Sequence, residues 1–434
     1  MTMTFDALPL TDDAAIHTSR ERFLNGLPEL PLLLGLGEPT HGVEAFSELR
    51  NDLFRVLVQR YGFRAIALES DCLSAPLVDA YVHGSGVSLA EVMERGFSHG
   101  FGKSAVGPGQ KRAGAMESLG VGAVESLGAG AVESLGAGAM ESLVTWLRAH
   151  NAGVEPDRRV RLYGFDAPLE MYHAPSPRVP LLTLFDMLAE FGCAPAELVS
   201  RAEIEELLGA EGAWADQAAL FDGAASIGRT GAARALRIIA DDLTALLDRE
   251  VPAIVRGGGL ETSRTARMHA RTAVGLLRYH DRMASTGADR VAVMLGVRDA
   301  MMADNLLDIV AAERRRGPVL AFAHNMHLRR QRSAWTLAGT DLRWWSAGAL
   351  VSPILGSHYA FVATDSARAG DAPGTLQQRL AAVTPGRALF SRDTLAAARD
   401  LPPAMGDSGY FPVEPRHLDQ MDGLAFLAPR RRPN

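Results

Sequence analysis

The sequence predicts an α/β fold: a layered core with a mostly parallel sheet, plus a helical lobe inserted as a pocket wall or lid. Two observations predict it. Short apolar runs at 32–37, 64–69, 160–165, 319–323, 359–364 and 424–427 have strand length and alternate with helical patterns, as in a parallel sheet covered by helices. Residues 181–284, by contrast, read as helices throughout, with Leu236, Ile239, Leu243, Leu246 and Leu247 at helical spacing. The expected organisation is therefore a first part of the core over 1–170, a mainly helical lobe over 171–290, and the rest of the core over 291–434.

Bulk properties narrow the function classes. The 434 residues are 47% hydrophobic and 22% charged, the balance of an ordinary globular protein with a large core. A net charge of −7 argues against a nucleic-acid partner, because no extended basic face is available; the runs Arg314-Arg315-Arg316 and Arg430-Arg431-Arg432 read as solvated ends. Two cysteines, Cys72 and Cys193, make no disulfide framework and suit a reducing compartment. The first twenty residues lack a basic region followed by an apolar one, and no apolar run approaches the ~18 residues of a membrane span. A cytoplasmic protein without a membrane partner is expected.

In chain order, the first strand runs into Gly35-Leu36-Gly37-Glu38-Pro39-Thr40-His41-Gly42, a strand-to-helix turn bearing a carboxylate and an imidazole. Ligands of open α/β sheets bind at the carboxyl ends of strands, so Glu38 and His41 are expected to face a crevice. The helical stretch at 43–61 places Phe46, Arg50, Leu53, Phe54, Leu57 and Tyr61 on one stripe. Arg50 therefore points at the core and needs a partner, with carboxylates at the strand ends as candidates. The next strand ends in Ala67-Leu68-Glu69.

An octad repeat follows within 113–142, with copies at Ala115, Ala123, Ala131 and Ala139. Eight residues make about 2.2 helical turns, so its leucines drift by ~80° per copy and build no stable face. It reads as a tandem expansion of the start of one helix, continued by 140–150. His269 and His280, eleven apart in the lobe, share a helix face and could reach a substrate. The fourth long strand ends in His324-Asn325-Met326-His327, repeating the pattern of polar groups where an apolar run stops.

These motifs, together with Tyr163-Gly164-Phe165-Asp166 and Arg298-Asp299-Ala300-Met301-Met302-Ala303-Asp304-Asn305, resemble the erythromycin esterase family in content and order over roughly residues 30–330. The resemblance implies a hydrolase of macrolide lactones linked to antibiotic resistance, with His41 as base for water and Glu38, Arg50, Glu69, His324 and His327 on the other principal positions. It also assigns Arg298, Asp299 and Asn305 to shaping or bracing the pocket. The substrate does not follow, because the family is broad.

The residues themselves suit that chemistry. A neutral His41 could take a proton from water attacking an ester carbonyl, worth ~10²–10⁴ in rate. Glu38 or Glu69 would hold the imidazole, and Arg50, His324 or His327 would stabilise the oxyanion. Gly406-Asp407-Ser408-Gly409 lacks the surroundings of a nucleophilic serine. Gly35-x-Gly37 is a poor nucleotide loop, since Glu38 would repel phosphate. Expected cofactors are none, but a divalent metal held by Glu38, His41, Glu69, His324 and His327 is the competing reading. Two further alternatives use the same pocket: an elimination or cyclisation in secondary metabolism, and sequestration of a ligand without chemistry.

Overall fold

The computed structural model describes residues 5–10, 12–99, 137–170, 174–337, 339–368, 370–384, 386–406 and 409–428. All six expected runs are strands of one eight-stranded sheet. In chain order the strands are β1 (Leu8–Pro9), β2 (Leu33–Glu38), β3 (Ala65–Asp71), β4 (Arg161–Asp166), β5 (Val319–His324), β6 (Arg332–Leu337), β7 (Thr340–Trp345), β8 (Tyr359–Ser366), β9 (Arg387–Ser391) and β10 (Gly423–Leu427). The sheet order is β1-β9-β10-β8-β2-β5-β3-β4, while β6 and β7 form a separate hairpin. From β10 to β4 every pairing is parallel; β9 and β1 are added antiparallel at one edge.

Period-two alternation sends side chains to two apolar layers. Leu34, Leu36, Ile66, Leu68, Leu320 and Phe322 pack beneath the helices Glu44–Tyr61 and Ala137–Ala152. Leu33, Ala65, Ala67, Val319, Ala321 and Ala323 face the helix Arg290–Glu313 on the other side. Gly37 carries no side chain because a Cβ there would lie 2.1 Å from Asn325 Oδ1, so its glycine serves close packing.

The lobe has its own apolar cluster, built by the helices Arg178–Glu190, Arg201–Leu208 and Gly231–Met283. The last is broken at Gly259, where φ is 83° and ψ is 175°. Of the octad repeat, only the copy entering the helix Ala137–Ala152 is described; the earlier copies lie outside the described residues, as do Asp407, Ser408 and the run Arg430-Arg431-Arg432. No described helix is long and apolar enough to cross a membrane.

Candidate active site

Four adjacent strands, β2, β5, β3 and β4, end in Glu38, His324, Glu69-Ser70-Asp71 and Asp166. Sheet order alone thus collects ionisable groups at one carboxyl edge, and Glu38 and His324 are register partners. Glu38, Glu69, Asp166 and His324 are all buried.

His41 stands over this edge from the turn after β2. Its Nδ1 lies 2.8 Å from Glu38 Oε1 and its Nε2 lies 3.7 Å from Glu69 Oε1, beyond hydrogen-bond distance. Its ring centroid is 5.3 Å from that of His324. With a side chain 40% exposed, His41 is the solvent-open imidazole of the cluster, whereas His324 and His327 are buried. Burial works against a charged His41, but Glu69 and the hydrogen-bonded Glu38 outweigh it and raise its pKa above the ordinary value. Burial raises the Glu38 carboxyl in turn, with His41 pulling the other way.

Glu69 is the hub of the cluster. One oxygen accepts from Arg298 Nη2 at 3.1 Å and lies 3.2 Å from His327 Nε2; the other accepts the His324 backbone N–H at 2.7 Å. Burial opposes its ionisation, yet His327, His41 and Arg298 hold it well below the ordinary carboxylate range. His327 lies between two acids, with Nδ1 2.9 Å from Asp299 Oδ1. Against the penalty of burial, Asp299 and Glu69 raise its pKa to about 10, so both ring nitrogens donate and it is a standing imidazolium. Asp299 is braced by Trp344 Nε1 and the Ala347 N–H, each at 2.7 Å.

His324 has the opposite character. Burial and the charge of His41 push it well below its ordinary pKa. Its Nδ1 accepts from Met326 N at 3.2 Å, so Nε2 donates to the Pro39 carbonyl at 3.0 Å. Both nitrogens are thereby committed, and the ring braces the turn that carries His41.

Arg298 reaches Asp166 through Nε and Nη2, the shorter contact being 2.6 Å. His99 joins it, with Nε2 2.9 Å from Asp166 Oδ2 and a ring lying roughly parallel to His41 at a 6.4 Å centroid distance. Asn305, one turn and more along the same helix, donates to the Phe165 carbonyl at 3.1 Å and anchors the helix to β4. His99 and the role of Asp166 were not legible in the sequence. Asp166 was visible as a motif residue; His99, with φ of 56°, belongs to Gly96-Phe97-Ser98-His99-Gly100, a Gly-x-Ser-x-Gly match that points to its serine rather than its histidine, yet Ser98 is buried and its Oγ accepts from the Asp71 N–H at 2.9 Å.

Arg50 departs from the expectation of a carboxylate ion pair. It is fully buried, donates from Nε and Nη2 to Asn51 Oδ1 at 3.1 and 2.8 Å, and lies 4.8 Å over the Phe322 ring; its Nη1 has no hydrogen-bond partner. Among the described residues it forms no ion pair, and burial lowers its pKa to about 10, with Glu38 partly offsetting this. The helix stripe that aims Arg50 inward sets it on the Phe322 ring, within electrostatic reach of Glu38. His280 and His269 also stand apart: the first faces the Pro175 carbonyl at 2.9 Å inside the lobe, and burial lowers the second to about 4.

The donor set fits a divalent ion poorly. Glu69 already accepts from Arg298 and the His324 N–H, the His327 nitrogens donate to Asp299 and Glu69 and offer no lone pair, and Arg298 places a fixed cation beside Glu69. Among the described residues no three His, Cys, Asp or Glu side chains converge as metal ligands.

Comparison with known proteins bears on the family and the fold. The family described as erythromycin esterase matches residues 58–387. A protein from Bacillus cereus is similar in structure, with a TM-score of 0.66, 15% identity, and 97% of this chain and 94% of that chain covered. A succinoglycan biosynthesis protein is similar at a TM-score of 0.66 and 14% identity, again covering 97% and 94%. The erythromycin esterase EreC, a mutant in its open conformation, is similar at a TM-score of 0.59 and 19% identity, covering 95% and 93%. No curated protein matches the chain.

Proposed function

Because the chain belongs to the erythromycin esterase family of hydrolases, we propose that it cleaves a carboxylic ester, in the leading case a macrolactone, by direct attack of water with His41 as general base. The observation that carries this reading is a solvent-open imidazole anchored through Nδ1 to a buried carboxylate, 2.8 Å from Glu38. Such an anchor fixes the tautomer with its lone pair on Nε2, and the carboxylate steadies the imidazolium that forms when water gives up its proton.

The ester C–O bond of the tetrahedral intermediate then breaks as the proton passes from His41 to the departing alkoxide, giving an alcohol and a carboxylic acid that loses its own proton to solvent. Negative charge on the carbonyl oxygen would be met by Arg298, whose Nε and Nη2 are held by Asp166 and Glu69 while Nη1 has no hydrogen-bond partner among the described residues. His327 adds a second fixed positive charge behind Glu69. A preorganised cation of this kind needs no reorganisation as charge develops. Glu69 holds these cations in place and is not required to move a proton. No step of this scheme uses a metal.

The test is His41→Ala assayed on a panel of macrolides and simple lactones with product mass spectrometry. Turnover should fall by ~10²–10⁴ with the fold intact, and the native product should be heavier than substrate by one water. An unchanged rate removes His41 as base; a product isomeric with the substrate would point to cyclisation instead.

A further inference from the structure

A sizeable cleft lies away from His41, which is not among its lining residues. About 790 Å³ in volume, it lies between the second half of the helix Gly231–Met283, the helix Arg290–Glu313 and the β6–β7 hairpin. This is the size of a small-molecule site. Asp289, Val293, Gly296, Val297, Ala300 and Asp304 present one face of the Arg290–Glu313 helix to it. At 100° per residue, Arg298 falls on the opposite side of that helix, toward Glu69. Glu38, His41, Glu69 and His327 are not among the residues that line the cleft, which meets the cluster only at its margin through Asn305 and Trp344.

The lining states what the cleft could hold. Arg271, Arg278, Arg282, Arg332 and Arg343 outnumber the aspartates Asp241, Asp289 and Asp304. Arg278 and Arg343 are exposed and form no ion pair among the described residues, so their charge is available. The floor between them is apolar, with Val274, Val293, Val297, Met301 and Leu350. Trp344 and Trp345 close one side, and Arg332 lies 4.6 Å over the Trp345 ring, leaving an aromatic wall with a cationic edge. Trp345 is 50% exposed, an unusual amount of apolar surface for a tryptophan to leave in water. Three carboxylates in the same walls would repel a polyanion, so the complementary molecule carries one negative charge on an apolar body.

We infer that this cleft is a second binding site, separate from the catalytic one, for an amphipathic monocarboxylate. Arginine side chains at the rim meet the carboxylate in a forked arrangement, and the aliphatic or aromatic body lies against Trp344, Trp345 and the valine floor. The inference stands without the proposed esterase chemistry. Trp344 belongs to both regions, since its indole N–H also donates to Asp299, so occupancy is reported by tryptophan emission.

The experiment titrates the full chain with octanoate, its uncharged amide octanamide and inorganic phosphate, following fluorescence and calorimetric heat. Octanoate should saturate, with octanamide and phosphate each at least tenfold weaker. The double variant Arg278→Gln/Arg343→Gln should weaken octanoate at least tenfold, and Trp345→Ala should weaken it while leaving the circular dichroism spectrum native. His41→Ala should bind octanoate as the native chain does; loss of binding in that variant would place octanoate in the catalytic crevice and overturn the inference. Equal binding of octanoate and octanamide, or an unchanged affinity in the double arginine variant, would overturn it as well.

Discussion

Replacing Glu38 by Gln probes the proposed base most directly. Glu38 is 1% exposed and its Oε1 lies 2.8 Å from His41 Nδ1. The amide oxygen can accept the same hydrogen bond, so ring orientation is retained and only the charge is lost. A hydrogen bond to a charged group contributes ~1.5–3 kcal/mol and a neutral one ~0.5–1.5 kcal/mol, so the imidazolium formed in the transition state loses about 1–2 kcal/mol. At 1.36 kcal/mol per tenfold, kcat should fall roughly 5- to 30-fold. The assay is the pH profile of kcat/KM on whichever ester the native chain cleaves. Activity should rise with pH as His41 loses its proton, and because Glu69 and Glu38 together raise the His41 pKa against burial, Glu38→Gln should move that acidic limb to lower pH. Stability should not fall. A carboxyl whose pKa burial raises stabilises the fold less as pH climbs past its unfolded value, and the amide removes that cost. A limb that stays in place or moves upward, or a rate unaffected by the loss of charge, would refute the role of Glu38 as the anchor of a base.

Further outcomes follow from the same geometry. Asp299→Asn leaves His327 without one of its two acids and should cost about 3–5 kcal/mol in denaturant unfolding, the usual range for breaking a buried pair. Because the folded-state pKa of His327 is raised to about 10, its stabilising effect is fully present below about 6.5 and is lost as pH rises toward 10; unfolding measured across that window should show a steeper decline in the native chain than in Asp299→Asn. Gly37→Ala puts a methyl group 2.1 Å from Asn325 Oδ1, and the forced shift should cost about 1–3 kcal/mol and lower kcat through the displaced turn bearing His324. Dialysis against a chelator should leave turnover unchanged; loss restored by one added metal ion would reverse the reading of the donor set.

How much of this was legible in the sequence depended on whether the signal was local. Apolar runs of strand length fixed the positions of β2, β3, β4, β5, β8 and β10 to within a residue or two, because burial on both faces leaves a continuous apolar stretch. Strand β9, next to the edge strand β1 and formed by the short RALFS run, and the β6–β7 hairpin, whose residues alternate between buried and exposed, gave weaker patterns. Glu38, Glu69 and His324 could be picked out as groups where such runs stop. Their convergence could not, because it depends on β5 lying between β2 and β3, a fact of sheet order. Helical phase correctly turned Arg50 inward but said nothing of how deep it goes: the guanidinium settles on Phe322 and Asn51. The three histidines of the cluster also divide into different roles by tertiary surroundings alone. Asp299 and Glu69 charge His327, burial and His41 neutralise His324, and the turn leaves His41 in solvent.

The position of β5 bears on how the molecule is made. β2 and β3 leave the ribosome early and one after the other, yet they never touch; the slot between them is filled by a strand that begins at Val319. Until that strand is synthesised, the early segments hold unpaired amides and carbonyls along two inner borders, and closing the slot spans a long stretch of chain, which makes it slow. Glu38 and Glu69 gain their shared neighbours only at that moment, so nascent chains that stop short of it carry two strongly polar strand ends without His324 or His327 beside them.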